Sequence, residues 1–129
     1  MRVRILAAAL AAGLWGIGSA GAQPIVIGVS TPQTGVAAVA SEWEMWGVNL
    51  AVEEINAAGG LLGGRKIELI IRDETGPNPD VAKRLAQELI TRDKVDILAG
   101  FTYTPNAMAA APLATDPGSV EASIEKAWD

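Results

Sequence analysis

The sequence predicts an α/β domain built as a three-layer parallel sheet with the element order βαβαβα. Short apolar runs, IVIGV from Ile25, KIELIIR from Lys66 and VDILA from Val95, alternate with longer segments of helical period. Two helix starts are marked by a capping side chain followed by proline, at Asn78-Pro79 and Thr104-Pro105. The glycine pairs Gly59-Gly60 and Gly63-Gly64 separate the first helix from the next strand. Strands alternating with helices of this length need crossover connections, which are right-handed and make the sheet parallel.

Ile25 to Val29 is apolar on both faces, as a strand buried inside a parallel sheet is. Residues 30–35 form a loop by composition, with Pro32 and Gly35 as turn formers. A helix is expected over residues 42–57. Its stripe is Val48, Ala51, Val52 and Ile55 at i, i+3, i+4, i+7, with Trp43, Trp46 and Leu50 on a neighbouring row. That spacing points to a packed or half-buried face for the two tryptophans rather than a stacking platform. Glu53 and Glu54 fall off the stripe and should face water. The second strand covers residues 66–72, and Asp73-Glu74 then opens a loop expected to be solvated. In the second helix Val81, Ala82, Leu85, Ala86, Leu89 and Ile90 make a wide apolar face. The third strand covers residues 95–99, residues 100–104 are its exit loop, and a third helix begins with Thr104 as its cap. A three-stranded sheet of this kind leaves at least one edge and some apolar surface uncovered.

The chain has 129 residues, enough for one small domain. Arg2 and Arg4, an apolar run from Ile5 to Ile17 and the small residues Ser19-Ala20-Gly21-Ala22 read as a cleavable export signal, with cleavage between Ala22 and Gln23. The run is short for a bilayer span, so no stable membrane insertion is expected after cleavage, and the expected location is periplasmic. Cysteine is absent, which removes a lipid-bearing N-terminal Cys, a disulfide frame and a thiol nucleophile. Histidine is absent too, which removes a Ser-His-Asp triad and zinc sites of His/Cys type. The net charge of −5 gives no reason to seek nucleic acid. The glycine cluster at residues 59–65 follows a helix and precedes a strand, the wrong order for a dinucleotide fingerprint. It also lacks the Lys-Ser/Thr of a phosphate loop. No cofactor and no enzymatic activity are expected.

Ligands of open parallel sheets bind at the carboxyl ends of the strands. Here that edge consists of residues 30–35, 73–78 and 100–104. Thr102, Tyr103 and Thr104 offer three hydroxyls beside a helix N-terminus, whose free N–H groups suit a carboxylate. Read from the residues, Thr104 is first a plain helix cap, since a Thr-Pro cap needs no ligand, and second a cap that also donates to an anion.

The segment VNLAVEEINAAGGLLGGRKIELIIRDE (residues 48–74), with GFTYTPNAMAAAP (residues 100–112), resembles the N-terminal lobe of periplasmic solute-binding proteins of the leucine/isoleucine/valine-binding type. These are the receptors of ATP-driven (ABC) amino-acid importers. The resemblance implies a partial N-terminal lobe of the type I periplasmic binding protein fold. It implies an α-carboxylate held by Thr104, with Thr102 and Tyr103 lining the same cleft and Gln33 and Thr34 forming the other wall. The ligand would be an amino acid, branched-chain or related, and the partner a membrane permease. The resemblance runs from Pro24 to Thr115, dividing the chain into a signal (1–22), a partial lobe (23–115) and a divergent tail (116–129). In the tail Val120, Ile124 and Trp128 fall at i, i+4, i+8. A full member is around three times as long, so a truncated product is expected. The same resemblance leaves room for a ligand-sensing module of identical fold, or an inactive gene remnant.

Overall fold

A computed structural model describes residues 21–114. The first twenty residues of the export signal and the amphipathic pattern of the tail lie outside the described residues. The elements are β1 (Ile25–Thr31), α1 (Ala38–Ala57), β2 (Ile67–Asp73), α2 (Pro79–Thr91), β3 (Ile97–Gly100) and α3 (Thr104–Ala114). The expected α/β order is the observed one.

The sheet order is β2-β1-β3, and both pairings are parallel. β1 pairs with β2 from Ile25↔Ile67 to Thr31↔Asp73 and with β3 from Ile27↔Ile97 to Ser30↔Gly100. The doubly apolar run is therefore the central strand, and β2 and β3 are edges. Ile71 and Ile97 are exposed on those edges, the uncovered surface expected of so small a sheet. Because the two crossovers run in opposite directions across the sheet, right-handed connections put α1 on one face and α2 on the other.

The face bearing α2 holds the better core. Asn78 caps α2 by accepting from the Val81 N–H at 3.2 Å, with Pro79 in the first helical position. Ala82, Leu85, Ala86 and Leu89 are all buried. Ala82 and Ala86 cluster with Phe101 and with Ala110 of α3, against Leu98, Ala107 and Leu113. Gly28 lets α2 approach the sheet, since a Cβ there would stand 2.9 Å from a Leu89 methyl.

Helix α1 departs from expectation twice. It begins at Ala38, four residues before the predicted start, because its Ala37 cap makes no side-chain hydrogen bond and gives no polar signal. Ser41 and Met45 are its buried residues, with Val48, Val52 and Ile55 half-buried on the same side. Trp43 and Trp46 are 65% and 64% exposed. With Val39 and Leu50, also exposed, they fall at i, i+4, i+7 and i+11, a second stripe on the opposite side of the helix. The packed or half-buried face predicted for the tryptophans is corrected. Glu53 and Glu54 face solvent as expected.

At the amino ends of the strands the chain is tied by charge and amide. Arg65 sits in a tight turn closed by Leu61 and Arg65, which exchange backbone hydrogen bonds of 2.8 and 2.7 Å. Its guanidinium donates to the carbonyls of Gln23 (2.8 Å) and Pro24 (3.1 Å) and lies 3.7 Å from Asp96. Asp96 accepts from the Val26 N–H at 2.9 Å. The Asn56 side chain pairs with Ile67 in both directions, donating to its carbonyl at 2.9 Å and accepting from its N–H at 2.8 Å.

Candidate ligand-binding site

The carboxyl ends of the three strands bring together the loops that follow them, and Asp73 at the end of β2 ties the first two. Its Oδ1 accepts from the N–H groups of Gln33 (2.9 Å) and Thr75 (2.8 Å), and its Oδ2 accepts from the Thr34 hydroxyl (2.7 Å). Partial burial alone would raise the pKa of this carboxyl. The Thr34 hydroxyl and the N–H groups of Gln33, Thr75 and Thr34 outweigh that effect and hold it below its ordinary value. Gln33 and Thr34 are thus held in place while remaining exposed.

The loop predicted to be solvated at Asp73-Glu74 is instead structural, and the reason is long-range. Glu74 is fully buried. Its Oε2 accepts from Asn106 Nδ2 at 3.1 Å, and the same amide donates to the Gly76 carbonyl at 2.9 Å. Asn106 is also fully buried. A carboxylate pair at a strand end carries no local sign that a partner waits 32 positions downstream.

The third loop is shaped by two consecutive residues in the left-handed region, Gly100 (φ 86°) and Phe101 (φ 60°). Only glycine fits at residue 100, where a Cβ would come within 2.2 Å of the Ser30 carbonyl oxygen. The reversal lets Phe101 donate its N–H to that carbonyl at 2.6 Å and sends its ring into the core. It also sets the Thr102 and Thr31 hydroxyls 3.4 Å apart. Burying Phe101 offsets the cost of a non-glycine residue at positive φ, of order 1–2 kcal/mol.

Thr104 is not the cap of α3. It is the first helical residue, and Tyr103 stands in the cap position with its carbonyl accepting from the Ala107 N–H at 3.0 Å. The predicted start is displaced by one residue because a Thr-Pro pair suits the first two helical positions as well as a cap followed by one. Thr104 and Thr102 are exposed. The Tyr103 hydroxyl is buried with no hydrogen-bond partner among the described residues. Since Pro105 has no N–H and Asn106 is fully buried, the first turn of α3 exposes Thr104 with its N–H. The arrangement can do one thing chemically: offer an anion the Thr104 N–H, a threonine hydroxyl and the positive end of a helix.

The predicted residues therefore fall in two groups. Thr102, Tyr103 and Thr104 share one loop, joined to β1 through Thr31 and Ser30. Gln33 and Thr34 are joined to β2 through Asp73. Gln33 also lines a groove of about 420 Å³ beside α1, with Ala38, Val39, Glu42, Met45, Trp46, Asn49 and Ile71. Neither Thr102, Tyr103 nor Thr104 lines that groove. Its lining mixes polar side chains (Gln33, Glu42, Asn49) with apolar ones, and the three hydroxyls of residues 102–104 lie outside it, on the segment that follows β3. Sequence reasoning missed Thr31, Glu74 and Asn106; for Asn106 the available signal was a polar residue on the otherwise apolar third helix. Among the described residues there is no group of three or more acidic side chains placed to hold a metal ion.

Comparison with known proteins places the fold. Residues 24–120 match the family described as "Periplasmic binding protein". Among curated relatives, an amino acid binding protein of Pseudomonas aeruginosa is 32% identical over 92% of this chain. A Leu/Ile/Val-binding protein homolog of Brucella abortus is 34% identical over 71% of it. This chain spans 31% and 23% of those two relatives. A solute-binding protein of an ABC transporter from R. palustris, solved with 4-hydroxybenzoate, superposes with a TM-score of 0.62 and 40% identity. That superposition covers 70% of this chain and 24% of that one. The substrate-binding protein of a branched-chain amino acid transporter from Streptococcus pneumoniae, solved with isoleucine, gives 0.65 and 28%. It covers 78% of this chain and 32% of that one. With the parallel β2-β1-β3 sheet and a family match over most of its length, the chain belongs to the periplasmic binding proteins, a family of non-enzymatic solute receptors.

Proposed function

We propose that this chain supplies the N-terminal lobe of an extracytoplasmic solute receptor of an ABC importer, and that it grips the carboxylate of its ligand. The observation that carries the reading is the first turn of α3. There the exposed Thr104 carries a hydroxyl and an N–H at the positive end of the helix, on the carboxyl edge of a parallel sheet. Thr104 takes the ligand carboxylate, with Thr102 and Tyr103 beside it and Gln33 and Thr34 forming the facing wall. The ligand class is a carboxylate-bearing solute, a branched-chain or related amino acid. The isoleucine and 4-hydroxybenzoate bound by two similar proteins share that carboxylate and differ in everything else. The first twenty-two residues are removed on export, the receptor works in the periplasm, and a membrane permease receives the ligand.

The test is Thr104→Ala in an intact homologous receptor, read by calorimetry with isoleucine and with 4-hydroxybenzoate. Removing a charge-assisted hydrogen bond worth about 1.5–3 kcal/mol weakens binding at least several-fold. Unchanged affinity for whichever acid binds removes Thr104 from the site.

A further inference from the structure

Asn106 lies in the first turn of α3, two residues after Thr104. Its side chain is buried and fastened to the β2–α2 loop through Glu74 Oε2 (3.1 Å) and the Gly76 carbonyl (2.9 Å). The loop it grips begins at Asp73, the residue that holds Gln33 and Thr34. The first wall of the site and the start of α3 are therefore both fastened to the β2–α2 loop, through the adjacent residues Asp73 and Glu74.

Stability alone is a poor reason for this pair. A fully buried carboxyl is costly, and Glu74 Oε1 and Asn106 Oδ1 have no hydrogen-bond partner among the described residues. Apolar side chains of similar volume would fill the space as well, since replacing both partners of a buried polar pair is often close to neutral. What an apolar pair cannot do is fix the rotation of the first helical turn about its own axis. A directional double hydrogen bond from Asn106 does so, and that rotation sets where the N–H of Thr104 points.

We infer that Glu74 and Asn106 are positioning residues that aim the first turn of α3 at the ligand carboxylate. This rests on the carboxylate reading given above, and it assigns the two residues no contact with the ligand.

The test compares Glu74→Gln, whose side-chain carbonyl can still accept from Asn106, with the double variant Glu74→Met/Asn106→Leu, which removes both polar partners together. Amide hydrogen exchange of the full chain is the first readout. In the double variant, exchange at Ala107 and Met108 rises at least tenfold while exchange in β1 stays within twofold of wild type. Glu74→Gln stays within twofold at both places. Affinity for isoleucine or 4-hydroxybenzoate, in the same receptor used for Thr104→Ala, is the second. It falls at least tenfold in the double variant with the melting temperature unchanged, and Glu74→Gln retains most of it. Exchange that rises equally throughout the chain makes the pair ordinary core and overturns the inference. So does an affinity unchanged in the double variant while Thr104→Ala weakens binding. If Thr104→Ala is itself without effect, the carboxylate reading is what has failed.

Discussion

At the amino ends of the strands, Arg65 donates to two carbonyls, Asp96 accepts from Val26, and Asn56 pairs both ways with Ile67. At the carboxyl ends, Ser30, Glu74, Tyr103 and Asn106 each keep a buried polar atom without a partner among the described residues. The first end is built to be satisfied, and the second keeps unspent hydrogen-bonding capacity. Such capacity gathers where a protein meets a ligand, because a site that is complete without its ligand has little to offer it. The contrast also separates what a mutation should do: at the amino end it should cost stability alone, and at the carboxyl end it should touch binding.

The sharpest way to break the comparison is Gly100→Ala. The left-handed backbone and the clash with the Ser30 carbonyl together should cost about 3 kcal/mol or more. Denaturant unfolding measures it, and a loss below about 1 kcal/mol would show that the third loop relaxes freely. Next is Asn56→Ala at the amino end, which strands both backbone groups of Ile67 and should cost roughly 1–3 kcal/mol. Its ligand affinity should equal that of the parent receptor, and any loss of binding would blur the distinction between the two ends. Smallest is Asp73→Asn, which weakens the hold on Gln33 and Thr34 by about 1 kcal/mol near neutral pH. The Asp73 pKa is lowered in the folded chain, so its stabilisation is complete above the ordinary carboxylate value and disappears as pH falls through the depressed one. Urea titrations of both proteins from about pH 6 down to about pH 2 should therefore converge at the acid end. A gap that persists there would show that shape, not charge, makes the clamp.

How much was legible in the sequence depended on the range of the interaction. Helix α2 was fully legible: Asn78-Pro79 starts it and its wide apolar face is the buried one, both being local patterns. The central place of β1 followed from its doubly apolar run. Helix α1 was half legible. Val48, Val52 and Ile55 of the expected stripe lie on the buried side, whereas Ala51 and the neighbouring tryptophan row are exposed. The tryptophans drew attention by their size, yet the sheet took Ser41 and Met45. At the site, the loops at residues 33–34 and 102–104 could be found from strand ends. The burial of Glu74 could not, because it depends on Asn106 arriving from another helix. Nor could the shift of Thr104 from cap to first helical residue, since one residue of displacement leaves the Thr-Pro signal unchanged.

The place of β1 in the middle of the sheet has a consequence in time. It is made first, yet its hydrogen bond to Asp96 spans 70 residues of chain. At synthesis rates of about 5–20 residues per second, those residues take roughly 4–14 s to appear. Throughout that interval one edge of the most apolar strand in the lobe stands open. A nascent chain built this way exposes its best template for wrong pairing first and closes it last.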